Sequence, residues 1–188
     1  MVHVQSKYPI NLSLFNNSPE VASYWFGYLR SRAYMFPTRH RIRCRTPLSD
    51  IGHLFQLTKD LGSFKAPRII QSERGGYAQL IIDNKQFYDL MVSFGWKEKP
   101  TGLDWRHVVR GIVDGRGSIS RNGSGKQAKY LRLALYLKDK DLIDWLTSKI
   151  GPKKVWVGSE AIKLSRQLYF NQSRYLGRKF EKLRPFIL

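Results

Sequence analysis

The chain of 188 residues carries 33 Lys and Arg against 14 Asp and Glu, a formal net charge of +19. Its 42% hydrophobic and 13% aromatic content is enough to bury a core, which excludes a disordered polyelectrolyte and suits one ordinary domain or two small fused halves. A single cysteine, Cys44, leaves no internal disulfide and no cysteine-based zinc site, and no 18-residue apolar run offers a membrane span.

No run of five or six basic residues accounts for the charge, so it belongs to folded surface. A field of that sign favours a polyanion. Nucleic acid leads an anionic membrane, because no long amphipathic helix with a basic face is evident. The opening stretch MVHVQSKYPINLS lacks a basic region followed by an apolar one, so the expected location is intracellular: cytoplasm, nucleoid or an organelle matrix. Residues 1–17 read as an N-terminal extension.

The first half, 18–96, opens with a helix in NSPEVASYWFGYL. Ser18 can cap it, Pro19 suits its first position, and Glu20 suits the positive end of its dipole. RAYMF and RHRIRCR follow as strands around a Pro37-Thr38 turn, then a helix capped by Ser49 and closed by Gly62. The extended runs RIIQS and YAQLIID, parted by Gly75-Gly76, and a helix in KQFYDLMVSFGWK complete this half. KEKPTG, 97–102, is the natural linker.

The second half, 103–188, repeats the order. Helix DWRHVVRGIVDG leads to strand SIS, turn NGSG and strand YLRLALYLK. Helix DKDLIDWLTSKIG, strands near KVWV and in KLSRQLYF, and helix RYLGRKFEKL follow. The GSGK ending at Lys126 is not a phosphate loop, because the earlier glycine and the following Ser or Thr are missing. Each half therefore reads α-β-β-α-β-β-α. The register agrees: Gly27 and Arg32 lie 84 residues before Gly111 and Arg116, and Gly62 lies 89 before Gly151. The expected fold is α+β, two pseudo-symmetric halves made by duplication rather than a solenoid.

Ser23, Gly27 and Ser31 recur at i, i+4 and i+8 on one face of the first helix, and Gly111 and Gly115 match the last two. Glycine inside a helix costs about 1 kcal/mol against alanine. Close approach of two helix backbones along this small-residue face could offset it, so these five residues form the candidate helix interface.

With these features in view, the chain resembles the LAGLIDADG homing endonucleases in their single-chain, two-motif form. WFGYLRSRA and VRGIVDGRG match the nine-residue motif in the central glycine, the apolar positions and the strand that follows. The resemblance runs from about Ser18 to the end. It implies motif helices packed at the centre and two antiparallel sheets forming a concave saddle over the DNA major groove. It also implies helix C-termini lying at the scissile phosphates, where two motif acids hold divalent metal.

Here the eighth motif position is Arg32 in one copy and Arg116 in the other. Mg²⁺ needs hard oxygen ligands, and guanidinium has five donors and no acceptor. Asp114 stands two residues upstream in the second copy only, opposite Arg30 in the first, and no acid lies between Glu20 and Asp50. The site is therefore expected to be degenerate, with no catalytic residue, no metal and no cofactor, Arg32 and Arg116 meeting phosphate directly.

Strict alternation in RHRIRCR directs Arg39, Arg41, Arg43 and Arg45 to one face. In the matching strand Tyr130 and Arg132 share a face, opposite Leu131 and Leu133. Arginine commonly reads guanine and glutamine can read adenine, so Gln79 and Gln167, at matching places in the last strands, join as weaker candidates. Lys65, Arg68, Arg74, Arg121, Lys126, Lys153, Lys154, Lys163 and Arg166 are expected to hold phosphates from loops. The sequence thus points to a catalytically inactive, monomeric double-stranded DNA-binding protein on a homing-endonuclease scaffold. The alternatives are an active endonuclease using displaced ligands for Mg²⁺ and an intron-RNA-binding maturase.

Overall fold

A computed structural model describes residues 9–71, 75–122, 130–169 and 173–188. Helix α1 (Ser13–Asn17) buries Phe15 edge-on against Phe87 with ring centroids 5.3 Å apart. Just before it, Asn11 N–H donates to Leu61 O at 2.8 Å. The end of the segment read as an extension thus packs onto the first half. Helix α2 (Pro19–Arg32) is capped by the Ser18 hydroxyl, which accepts from Val21 N–H. Its residues from Val21 to Leu29 are all buried, the pattern of a helix enclosed on every side.

Strand β1 (Ala33–Phe36) turns through Pro37–Arg39 into β2 (Arg41–Pro47). Helix α3 (Ile51–Asp60) ends at Gly62, whose φ of +56° lets Gly62 N–H and Ser63 N–H reach back to Lys59 O and Thr58 O. Ser49 does not cap α3: its hydroxyl donates to the Asp50 carboxylate, and Asp50 is itself held by Arg178. Strands β3 (Arg68–Ile70) and β4 (Tyr77–Asp83) precede α4 (Lys85–Ser93), which is capped by Asn84. The first sheet is antiparallel in the order β1-β2-β4-β3.

In the second half, α5 (Trp105–Arg116), β5 (Gly117–Asn122), β6 (Tyr130–Leu135), α6 (Lys140–Ile150) and β7 (Val155–Val157) follow the expected order. Asp104 and Asp139 cap α5 and α6. The order then departs from the sequence reading. The described part of KLSRQLYF, residues 163–169, expected as a strand, lies in helix α7 (Ser159–Tyr169), and α8 (Gly177–Ile187) comes after it. The reason is periodicity: Ala161, Leu164, Ser165, Leu168 and Tyr169 are buried at steps of three and four. The second sheet therefore has three strands, β5-β6-β7.

Helices α2 and α5 meet backbone to backbone. A Cβ on Gly27 would lie 2.1 Å from Val108 O, and one on Gly111 would lie 2.1 Å from Tyr24 O. At Gly115 it would meet the Ser31 hydroxyl at 1.9 Å. Ser23 Oγ accepts from Asp104 N–H at 3.0 Å, joining the two helices at their other end. This contact brings the C-termini of both helices to one place.

Candidate nucleic-acid interface

Arg32 and Arg116 are the last residues of α2 and α5, and they line the same cleft of about 310 Å³. Gly117, Ser118, Ile119, Tyr136, Arg178, Lys179 and Lys182 complete its wall, which among the described residues has five basic side chains and no acidic one. Arg116 Nε donates to Ser31 O at 2.9 Å across the helix pair. Lys179 Nζ donates to Val113 O, Asp114 O and Gly117 O at 2.6, 2.7 and 2.7 Å. It sits against carbonyls at the end of α5, where positive charge is favoured. Burial pulls the Lys179 ammonium down to about 8, against the opposing pull of Asp114.

The donor set at these helix ends does not fit a divalent ion. Guanidinium and ammonium offer no lone pair to a cation, and among the described residues no cluster of His, Cys, Asp or Glu is arranged to hold a metal. Asp114 faces the interior and is 1% exposed. It accepts from Tyr24 OH at 2.8 Å, Tyr169 OH at 2.6 Å and Leu176 N–H at 2.7 Å. Burial raises its pKa above the ordinary carboxylate value, against those bonds and Lys179.

The two sheets flank this centre. In the first, β2 places Ile42, Cys44 and Thr46 in the core and Arg41, Arg43 and Arg45 on the outer face. Strand register sets Tyr34 and Phe36 beside Arg43 and Arg41, then Ile81, Gln79 and Arg68 beyond them. The Arg43 guanidinium lies over Phe36, 4.7 Å from the ring centroid, and Arg45 lies over Tyr77 at 4.9 Å. Arg45 Nε also donates to Gln79 Oε1 at 2.9 Å. Aromatic support holds these side chains extended while leaving most of their donors free.

One expectation for this face is corrected, and one side chain on it is already paired. Arg39 is not part of the strand: Pro37 starts a tight turn and His40, at φ +45°, resets the chain before β2 begins. Arg41 is not a free cation, because its Nε meets Asp83 at 2.5 Å, and Lys65 reaches the same carboxylate at 3.4 Å.

In the second sheet Tyr130 and Arg132 share the outer face with Ser118, Ser120, Val155 and Val157. Arg121 has the parity of buried Ile119 and lies over Phe186, 5.7 Å from its centroid, on the side away from Arg132. Lys163, Arg166 and Gln167 are on the exposed side of α7 rather than on a strand or loop. That helix packs on the core side, where Tyr169 reaches Asp114 and Leu168 O accepts from Arg110. Gln79 and Gln167 are therefore not equivalent. Lys153 pairs with Glu160 at 2.6 Å. Arg74 and Lys126 lie outside the described residues.

Tyr136, Arg178, Lys179 and Lys182 belong to the cleft, and sequence reasoning did not single them out. Three of them lie on α8, and its counterpart α4 carries one cation, Lys85, which is paired with Asp89.

No protein-family model matches the sequence, and no curated protein sequence matches it. Solved structures do match. The homing endonuclease I-WcaI bound to its DNA recognition sequence has a TM-score of 0.58 at 13% identity, covering 88% of this chain and 86% of that one. The LAGLIDADG meganuclease I-CpaMI bound to uncleaved DNA gives 0.51 at 9% identity, with 90% of each chain covered. Full-length WhiA from Thermatoga maritima gives 0.54 at 15% identity, covering 93% of this chain, which spans 63% of that protein. At these identities the likeness shows the fold: this chain has the homing-endonuclease architecture.

Proposed function

We propose that this protein binds double-stranded DNA across its two sheets without metal-dependent cleavage. One observation carries the reading: Arg32 and Arg116 converge in a cleft that among the described residues has five basic side chains and no acidic one. A phosphodiester cut by metal needs carboxylates at that point. A phosphate held without metal needs donors, and the cleft supplies them. The outer face of the first sheet, with Arg43, Arg45 and Arg68 beside Gln79, offers major-groove readers, and the neighbours I-WcaI and I-CpaMI are themselves bound to DNA.

The test is fluorescence anisotropy on a duplex pool in EDTA, then in Mg²⁺, over a range of salt. Binding in EDTA is expected, with log affinity falling by about 0.9 per neutralised phosphate for each unit of log salt. A flat salt dependence would remove the DNA reading. Supercoiled plasmid incubated with Mg²⁺ or Mn²⁺ is expected to stay uncut, and divalent-dependent linearisation would overturn the claim of no cleavage. Duplex is also expected to outcompete structured RNA, whose A-form groove is too narrow for these strands.

A further inference from the structure

We infer that the Arg32–Arg116 cleft is a binding site for a phosphate monoester, the 5′-phosphate of a nick or strand end being the form that duplex DNA presents. Its DNA source rests on the reading above; its chemistry does not.

Three of the cleft's cations have structural work, in whole or in part. Lys179 gives all three of its ammonium hydrogens to carbonyls at the end of α5. Arg178 is held through two nitrogens by the Asp50 carboxylate. Arg116 closes α2 through Nε but keeps its terminal nitrogens. The rest have little or none. Lys182 makes one long bond, 3.3 Å, to Ile119 O. Among the described residues Arg32 has no acceptor at all, and its Nε is buried. A buried guanidinium nitrogen without a partner costs free energy comparable to a lost hydrogen bond, and concentrated like charge adds repulsion. An anion bound in the cleft would relieve both.

The number and depth of the donors select the kind of anion. A phosphodiester inside a strand has one negative charge and two free oxygens, and its ester bonds on both sides keep it at the surface. A monoester has about −1.5 to −2 charge at pH 7 and three acceptor oxygens. It is tethered at one end only, so it can enter a cleft of about 310 Å³ end-on. Helix α8 adds to the field. Its first turn supplies Arg178 and Lys179 to the wall. Tyr136 is 60% exposed and lines both this cleft and the adjoining one containing Tyr34. A ring at that mouth can stack on the base a nick uncovers.

The first test needs no DNA: methyl phosphate and dimethyl phosphate are titrated against the full chain at matched ionic strength and pH 7.5, followed by thermal shift and ³¹P NMR. Methyl phosphate is expected to bind at least about tenfold more tightly, as charge-assisted bonds to a dianion require. Lys182→Ala, at an exposed position, and Arg32→Gln are each expected to reduce that binding several-fold. Equal binding of the two esters, or methyl phosphate binding that survives both substitutions, overturns the inference. The second arm compares one duplex intact, nicked with 5′-hydroxyl and nicked with 5′-phosphate. A preference for the 5′-phosphate nick assigns the site to DNA ends. Equal affinity for all three, with methyl phosphate still bound, assigns it to a free phosphorylated small molecule. Methyl phosphate bound with no duplex bound at all leaves this site standing and removes the DNA-binding reading.

Discussion

Gly111→Ala tests the feature on which the centre depends. The added Cβ would fall 2.1 Å from Tyr24 O, 2.6 Å from Tyr28 N and 3.1 Å from Gly27 C. An unstrained carbon–oxygen contact is about 3.3 Å, so the helices must part by about 1 Å. All three obstacles are backbone, so no rotamer change can make room. Overpacking in a close-packed core costs about 1–3 kcal/mol and sometimes more, and this case belongs at the upper end. Replacing a helical glycine returns about 1 kcal/mol, leaving an expected net loss of about 2 kcal/mol or more. Gly52→Ala in α3 is the control: the same chemical change is made in a helix, with nothing within 4 Å of the new Cβ. Urea denaturation should show Gly52→Ala neutral or stabilising and Gly111→Ala clearly destabilising. Equal midpoints for the two would refute the backbone-contact argument. Separation should also break the 2.9 Å bond from Arg116 to Ser31 O, so the surviving folded fraction should bind anions less well.

Burial lowers His53 to about 4, against the pull of Asp50 and Asp60. A group depressed in this way contributes stability that is complete above about pH 6.5 and drains as pH falls towards 4, by up to about 3 kcal/mol. His53→Gln should flatten that part of the stability profile measured by urea midpoints at pH 7 and 4.5. Asp114→Asn leaves too few acceptors for Tyr24, Tyr169 and Leu176, and calorimetry should record a loss of about 1–3 kcal/mol. Arg43→Ala and Arg45→Ala should each weaken a preferred duplex by about 1–3 kcal/mol. Arg41→Ala should cost less than about 1 kcal/mol, because Asp83 already neutralises that side chain. Anisotropy on all three variants separates those outcomes.

The parts of the fold readable from sequence were those with a local cause. Ser18 caps its helix through its own side chain and Gly62 closes one through its left-handed backbone, as read; Ser49 does not cap, and the caps at Asn84, Asp104 and Asp139 went unread although they follow the same local rule. The 84-residue spacing of Gly27 and Gly111 marked the helix pair, because only glycine allows that approach. The strand read in KLSRQLYF failed over residues 163–169 for a definite reason. Alternating and helical periods differ little over eight residues, and the repeat encouraged a strand where Leu164, Leu168 and Tyr169 needed a helix to reach α5. Arg39 failed because strand parity was extended through a turn. Arg41 and Lys65 were unreadable as ion pairs, since Asp83 is distant in sequence and adjacent only through β4. The cleft cations of α8 were hidden for the same reason: no local pattern places Lys179 at the end of α5.

The excess of positive charge has a structural explanation as well as a functional one. Asp50, Asp60 and Asp114 are buried, and Glu20 is partly so. Each is used by the segment that follows residue 172: Ser173 on Glu20, Arg174 on Asp60, Leu176 on Asp114 and Arg178 on Asp50. Glu20 also takes Arg110 from α5, and Asp60 takes the Trp25 indole. Such pairs are worth little against an apolar replacement, yet removing one partner is costly because it strands a buried charge. They therefore serve better as clamps that fix where the C-terminal segment lies than as a source of stability. Four of the chain's 14 acids are thereby withdrawn from the surface to join the halves, and the same segment delivers Arg178, Lys179 and Lys182 to the cleft. The acids that would attract a metal and the cations that would meet a phosphate are sorted by one structural device.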